Sequence, residues 1–367
     1  MKRLLTTLIC LVVMLGAISA QETTMFKERR AEREKNRALK LLEDGKYDRA
    51  VTLLRKSAEG GCTIAQYNLG VCYYQGVGVT VDIDETIKWW RMAAESGCVE
   101  AQNNMGAFYY QGLGVEQSYE EAVRWYTMAA EQGDARAQYN LAECYYYGLG
   151  VDENFDMGVE LDAKAADQGL AEAQCRLGEL CIDVFEDYAF AVEFLTLSAE
   201  QGYARAQYVL GLCYMSSMGV EEDKREGVNW IRLAAQQAYD EAEFALGQCY
   251  YYGNGVDENK IKAVGWFRMA AERGHARAQF MLAACYEGGI GVAMDDTKAV
   301  MWCRKAAEQD LAEAQYTLGL SYLYGIGVDV DTTEAMKWLR KASNQGLEAA
   351  QEVLQDLHGI LAGEFLE

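Results

Sequence analysis

Proline is absent from the 367 residues, and histidine occurs only at His275 and His358. Without proline there is no Pro-rich linker and nothing to break a helix from within. With so little histidine, a serine or cysteine nucleophile has almost no base to activate it. The sequences His-Glu-x-x-His, Cys-x-x-Cys, Gly-x-x-x-x-Gly-Lys-Ser/Thr and Ser-x-x-Lys are missing too. No catalytic residue, metal site or cofactor is therefore expected. Positive charge is also scarce: 34 Lys and Arg stand against 56 Asp and Glu, a net charge of −22. Such a surface repels nucleic acid and anionic membrane, which excludes both as partners.

Long apolar runs are confined to residues 1–20, MKRLLTTLICLVVMLGAISA. Two cationic residues, an apolar stretch and a small-residue end predict an export signal cleaved between Ala20 and Gln21. The run is too short and wrongly flanked for a lasting membrane span. The expectation is an exported protein, periplasmic or secreted. Loss of Lys2 and Arg3 with the signal takes the charge from −22 to −24.

What fills the chain instead is repetition. An Ala-Gln pair falls at Ala65/Gln66, Ala101/Gln102, Ala137/Gln138, Ala173/Gln174, Ala206/Gln207, Ala278/Gln279 and Ala314/Gln315, with Ala242/Glu243 as a variant. Successive offsets are 36 residues except for one of 33, and a fixed period of this size predicts a stacked array. Within one unit, Ala101, Met105, Phe108 and Tyr109 form one apolar stripe; Ala122, Trp125, Tyr126 and Ala129 form another. That spacing describes two amphipathic helices. Gly112-Leu113-Gly114-Val115 turns the chain between them, with the valine expected to plug the hairpin.

The helix ends are marked as clearly. Asp82, Ser118, Asn154, Asp223, Asn259, Asp295 and Asp331 occupy one N-cap position. Glu85, Glu121, Glu226 and Glu334 follow three residues later, the pattern of a capping box. Ala-Ala-Glu-x-Gly closes the second helix on a left-handed glycine. Mid-helix glycines at Gly70, Gly106, Gly178, Gly211, Gly247 and Gly319 cost roughly 1 kcal/mol each against alanine. Close helix approach is the expected compensation. Six tryptophans, from Trp89 to Trp338, share one position and are expected to form core rather than a ligand platform.

The pattern Ala-x-Ala-Gln-x-x-Leu-Gly-x-x-Tyr, Gly-x-Gly-Val, Ala-x-x-Trp-x-x-x-Ala-Ala-x-x-Gly, in register over about residues 62–346, resembles the Sel1-like repeat, a relative of the tetratricopeptide repeat. The resemblance implies an all-α fold, an α/α superhelical solenoid of helix–turn–helix repeats used for protein–protein contacts, often in bacterial envelopes or secretory compartments. Cysteine-rich bacterial relatives linked to β-lactam binding or hydrolysis supply the alternative, an envelope enzyme. A transient assembly or quality-control adaptor is a third possibility. Residues 21–61 read as an N-terminal tetratricopeptide-like capping hairpin, 62–346 as eight repeats, and 347–367 as a C-terminal capping helix and tail.

Three further expectations concern particular side chains. In the unit starting at Ala173, three residues short, a shortened first helix is expected to bend the stack or open a notch. Cys72, Cys144, Cys213, Cys249 and Cys285 share one position, and stacked equivalents ~8–10 Å apart are beyond the ~7 Å reach of a disulfide. Only Cys285–Cys303 is geometrically conceivable; buried, unpaired thiols are expected. Glu100, Arg136, Glu172, Arg205, Glu241, Arg277 and Glu313 alternate in sign at equivalent positions, predicting an ion ladder between repeats.

The same helix face carries Asn68, Asn104 and Asn140 in consecutive units, with Gln75, Gln111 and Tyr147 further along. In tetratricopeptide-type arrays the first helices line a concave groove where asparagines can hold a peptide backbone. These six residues are therefore the candidate contacts for a protein or peptide partner.

Overall fold

The computed structural model describes residues 27–362; the predicted export signal and the last five residues of the tail lie outside the described residues. Among the described residues there are 19 helices and no strand. The first, α1, spans 27–43. Next come α2 (Tyr47–Glu59), α3 (Thr63–Gln75), α4 (Ile83–Glu95), α5 (Val99–Gln111), α6 (Tyr119–Glu131), α7 (Ala135–Tyr147), α8 (Phe155–Asp167) and α9 (Ala171–Asp183). Then follow α10 (Tyr188–Glu200), α11 (Ala204–Ser216), α12 (Lys224–Gln236), α13 (Asp240–Tyr252), α14 (Lys260–Glu272) and α15 (Ala276–Gly288). The last four are α16 (Asp296–Glu308), α17 (Ala312–Tyr324), α18 (Thr332–Asn344) and α19 (Glu348–Ala362). The chain forms two compact units, one through Ala173 and one from Gln174. In the first, each helix from α2 to α8 packs on the next; in the second, the same holds from α10 to α19. Each unit is an α/α repeat solenoid.

Every N-cap named from the sequence holds its helix. Asp82 accepts from the Glu85 amide at 3.0 Å, Ser118 from Glu121 at 3.2 Å and Asn154 from Met157 at 3.0 Å. Asp223, Asn259, Asp295 and Asp331 do likewise. The capping box is only half made, and the reason is tertiary. The amide of each cap residue donates backwards to the first helix of its own hairpin, as Asp82 to the Tyr73 carbonyl at 3.1 Å and Ser118 to Tyr109 at 3.0 Å. Glu85 turns outward to Trp89 Nε1 at 2.8 Å and to Lys88, whose hydrogen bond holds its carboxyl below the usual range.

Small residues work as the sequence suggests. A side chain on Gly106 would meet the Tyr126 ring at 2.5 Å, and one on Gly247 would meet Phe267 at 2.6 Å. Where alanine replaces this glycine, at Ala142 and Ala283, the residue facing it twenty positions on is the smaller Asp162 or Cys303. The second glycine of Gly-x-Gly is constrained twice over. Gly150 has φ +71°, and a Cβ there would lie 2.2 Å from the Tyr119 carbonyl carbon of the preceding hairpin. Trp89, Trp125, Trp302 and Trp338 are buried in the cores, while Trp230 and Trp266 are half-buried.

The Ala-Gln pair has a role the sequence did not disclose. Gln102 Nε2 donates to the Ala94 carbonyl at the end of α4 (3.0 Å), and its Oε1 accepts from Gln132 at the end of α6 (2.7 Å). One buried amide thus ties three helix ends together and gives the Ala94 carbonyl, which already accepts from the Gly97 amide, a second partner. The clasp recurs at Gln138/Gln168, Gln207/Gln237, Gln279/Gln309 and Gln315/Gln345. In one repeat it becomes Glu243 with Arg273, 3.3 Å apart, with the carboxylate fully buried. Burial raises the Glu243 pKa and the Arg273 hydrogen bond opposes that rise.

Two expectations are corrected, and the third, that the thiols stay unpaired, holds. The short repeat does not have a shortened helix: α9 has 13 residues like its counterparts. The deletion falls in the loop, where Glu186 takes the left-handed turn at φ 53° and Asp187 caps α10. The ion ladder is not made of contacts. Among the described residues Arg205 pairs with Glu179 at 2.6 Å, on the preceding first helix, and Arg136 and Arg277 have no carboxylate within ion-pair distance. The ten described cysteines are free, Cys285 and Cys303 included. Eight are buried, and burial pushes thiols such as Cys144 and Cys303 up to about 12.

Candidate binding groove

Helices α3, α5 and α7 bury the same stripe, for example Ala101, Met105 and Phe108 on α5, against their second helices. Their other face is left to solvent, and two adjoining pockets open along it. The first, about 300 Å³, lies between α3 and α5, with Tyr67, Val71, Tyr74 and Gln75 on one wall. Asn104, Ala107, Phe108 and Gln111 form the other wall, and Trp90 of α4 also lines the pocket. The second, about 410 Å³, lies between α5 and α7 and is lined by Asn103, Tyr110, Tyr139, Asn140, Arg136 and Glu143, among others. Ala107 and Gln111 border both, so the pockets form one groove.

The two halves differ in chemistry. In the α3/α5 half, the Trp90 ring stacks on Tyr67 with centroids 6.2 Å apart and meets Phe108 edge-on at 5.2 Å. Its Nε1 donates to the Tyr67 carbonyl at 3.1 Å, so the indole is fixed at both ends. In the α5/α7 half, Tyr110 donates to Glu143 Oε1 at 2.7 Å, and burial followed by that carboxylate raises the tyrosine pKa. This half is polar, with amides, phenols and an exposed Arg136.

The groove takes in four of the six predicted contacts. Gln75, Asn104 and Gln111 line the first pocket, and Gln111 and Asn140 the second. Asn68 and Tyr147 lie outside both. Asn68 donates to the Ile64 carbonyl of its own helix at 2.8 Å, while Tyr147 is 70 % exposed. The asparagines also have a structural task. Asn140 donates to Asn103 Oδ1 at 3.0 Å, and Asn104 lies beside the Tyr67 hydroxyl, each reaching one repeat back. Trp90 and Phe108 were missed as groove residues because their repeat positions read as core, and Tyr67 and Tyr74 because their positions belong to neither apolar stripe. A signal was present in the lack of charge: α3 carries none, α5 only Glu100, and α7 only Arg136 and Glu143.

A hairpin solenoid with this register belongs to a recognisable class. The Sel1 repeat pattern matches nine segments in unbroken succession from 34–62, 63–98 and 99–134 through to 312–347, and the chain belongs to that family. Proteins of this kind are typically protein-interaction scaffolds and are generally non-catalytic. Among solved structures, the chain is similar to a protective antigen present in uropathogenic Escherichia coli strains that displays an SLR fold. The two are 34 % identical with a TM-score of 0.74, over 89 % of this chain and 72 % of that one. It is likewise similar to a Sel1 repeat protein from Oxalobacter formigenes: 35 % identity, TM-score 0.65, 83 % of this chain and 90 % of that one. No curated protein matches it.

Proposed function

We propose that this protein is an exported, non-catalytic scaffold that holds a protein or peptide partner in the groove along α3, α5 and α7. The observation that carries this reading is the groove itself: two adjoining pockets on the charge-poor side of the first helices, lined by tyrosine, tryptophan and amide side chains. Depletion of charge with enrichment of aromatics marks protein-binding surfaces, and tyrosine with asparagine is the chemistry of paratopes. The groove would be the concave face of the array. Export is supported by residues 1–20 and by the antigenic role of the uropathogenic relative. The raised pKa of the buried thiols favours the protonated, unreactive form, so the eight buried free cysteines are compatible with an oxidising compartment. The envelope-enzyme alternative gains no support from His275, which is engaged in capping α15.

Two measurements test the proposal. Cell fractionation with N-terminal sequencing should find the mature chain outside the cytoplasm, beginning at Gln21; an intact Met1 in the cytosol would contradict export. The double variant Gln75→Glu/Gln111→Glu, two exposed sites on the groove, should fold normally and lose the partners that wild type captures from an envelope extract. Undiminished capture would remove the groove from the account.

A further inference from the structure

The groove's charge pattern narrows what it can hold. The 39 residues of α3, α5 and α7 include three charged side chains, in a chain that is 25 % charged and has a net charge of −22. The lone cation among them is Arg136, at the far, polar end. A carboxylate entering the α3/α5 half would lose water, find no cation there, and sit in the field of an acidic molecule. That half is otherwise ready for a large apolar group. Trp90, 3 % exposed, is fixed at both ends, and Tyr74, 44 % exposed, leans against it with centroids 5.6 Å apart. One more ring would extend this cluster in the tilted geometry that aromatic pairs prefer. Beyond it, the Gln111, Asn140 and Asn103 amides can pair with a peptide backbone and ask for no charge.

Resting on the groove as the docking face, we infer that its occupant is an extended peptide segment without acidic side chains. It seats one aromatic or branched aliphatic side chain between α3 and α5 and belongs to a partner of net positive charge. The local contacts set specificity, whereas the long-range attraction between a −22 chain and a basic partner sets the association rate and is screened by salt.

The test is selection of a random twelve-residue peptide library, displayed on phage, against the full chain, followed by binding measurements on the selected peptides with wild type, Tyr74→Asp and Gln111→Glu. Thermal melts of the two variants, both at exposed positions, confirm that they fold. Selected peptides should share one aromatic or branched aliphatic anchor, lack Asp and Glu around it and carry Lys or Arg at their flanks. They should bind both variants about tenfold or more weakly, with association rates that fall as salt rises. If the peptides lose binding to the variants but carry acidic residues or no apolar anchor, the chemistry inferred here is wrong and the groove stands. If no peptide is selected, or the variants bind as tightly as wild type, both the groove and the inference fall.

Discussion

Glutamine at the start of each first helix is the residue on which the register turns. Gln102 is 2 % exposed and links Ala94 and Gln132, so Gln102→Ala should remove both bonds, leave the Ala94 carbonyl with the Gly97 amide alone, and cost about 1–2 kcal/mol in chemical denaturation. A loss below the error of the measurement would show the clasp to be incidental. His275 offers a test through pH. Its Nδ1 accepts from the Ala278 amide at 3.0 Å, its ring stacks on Phe244, and Asp240 and Arg277 are the charged groups that act on it. Burial lowers its pKa below the ordinary 6.5, so the neutral ring is favoured on folding. The contribution is complete above about 6.5 and is lost as pH falls through the lower folded value. His275→Asp, which caps without titrating in that window, should flatten the pH dependence of the melting temperature between about 6.5 and 5. An unchanged slope would refute the role. Arg136→Glu should leave melting unaltered, since Arg136 has no ion-pair partner among the described residues, while Arg205→Glu removes an exposed pair with Glu179 and should cost up to about 1 kcal/mol. Equal losses would restore the ladder.

At the scale of the hairpin, the two kinds of left-handed glycine separate backbone strain from packing. Gly133 has φ +91° and open space where a Cβ would go, so Gly133→Ala should cost only the strain, about 1–2 kcal/mol. Gly150 has φ +71° and the Tyr119 backbone 2.2 Å from that Cβ. Gly150→Ala should therefore cost more than Gly133→Ala, and the loss should appear between hairpins rather than within one. Matching melts would mean that the loop does not dock on its neighbour. Most of this element was legible: the caps, the glycine turns and the valine plug follow from local backbone chemistry. The other half of the capping box was not. Whether Glu85 reaches back to Asp82 depends on what else is near, and the Asp82 amide finds the Tyr73 carbonyl first. The Asp187 cap was hidden for a related reason, because a three-residue deletion moved it out of the period that revealed its counterparts.

For the molecule as a whole, the 36-residue period and the family pattern specify an α/α solenoid whose cores are built one hairpin against the next. The groove was half visible. Gln75, Asn104, Gln111 and Asn140 stand out as polar residues where the hairpin does not need them, but Trp90 and Phe108 belong to the core by periodicity and line a pocket as well. Periodicity assigns each residue to one side of its own helix. It does not tell where two neighbouring helices part and leave an aromatic floor open between them. The alternating Glu100, Arg136 and Glu172 misled for the converse reason: equivalent positions one repeat apart suggest contact, while the second pocket opens beside Arg136 and Glu172.

The groove as the face that meets a partner is the central claim, and site-specific photo-crosslinking in intact cells tests it most directly. A photoreactive amino acid placed at Gln111, which borders both pockets, should yield a discrete protein adduct, whereas the same group at exposed Glu95 on the end of α4 should yield none. Adducts from Glu95 equal to those from Gln111, or none from Gln111 at all, would contradict it.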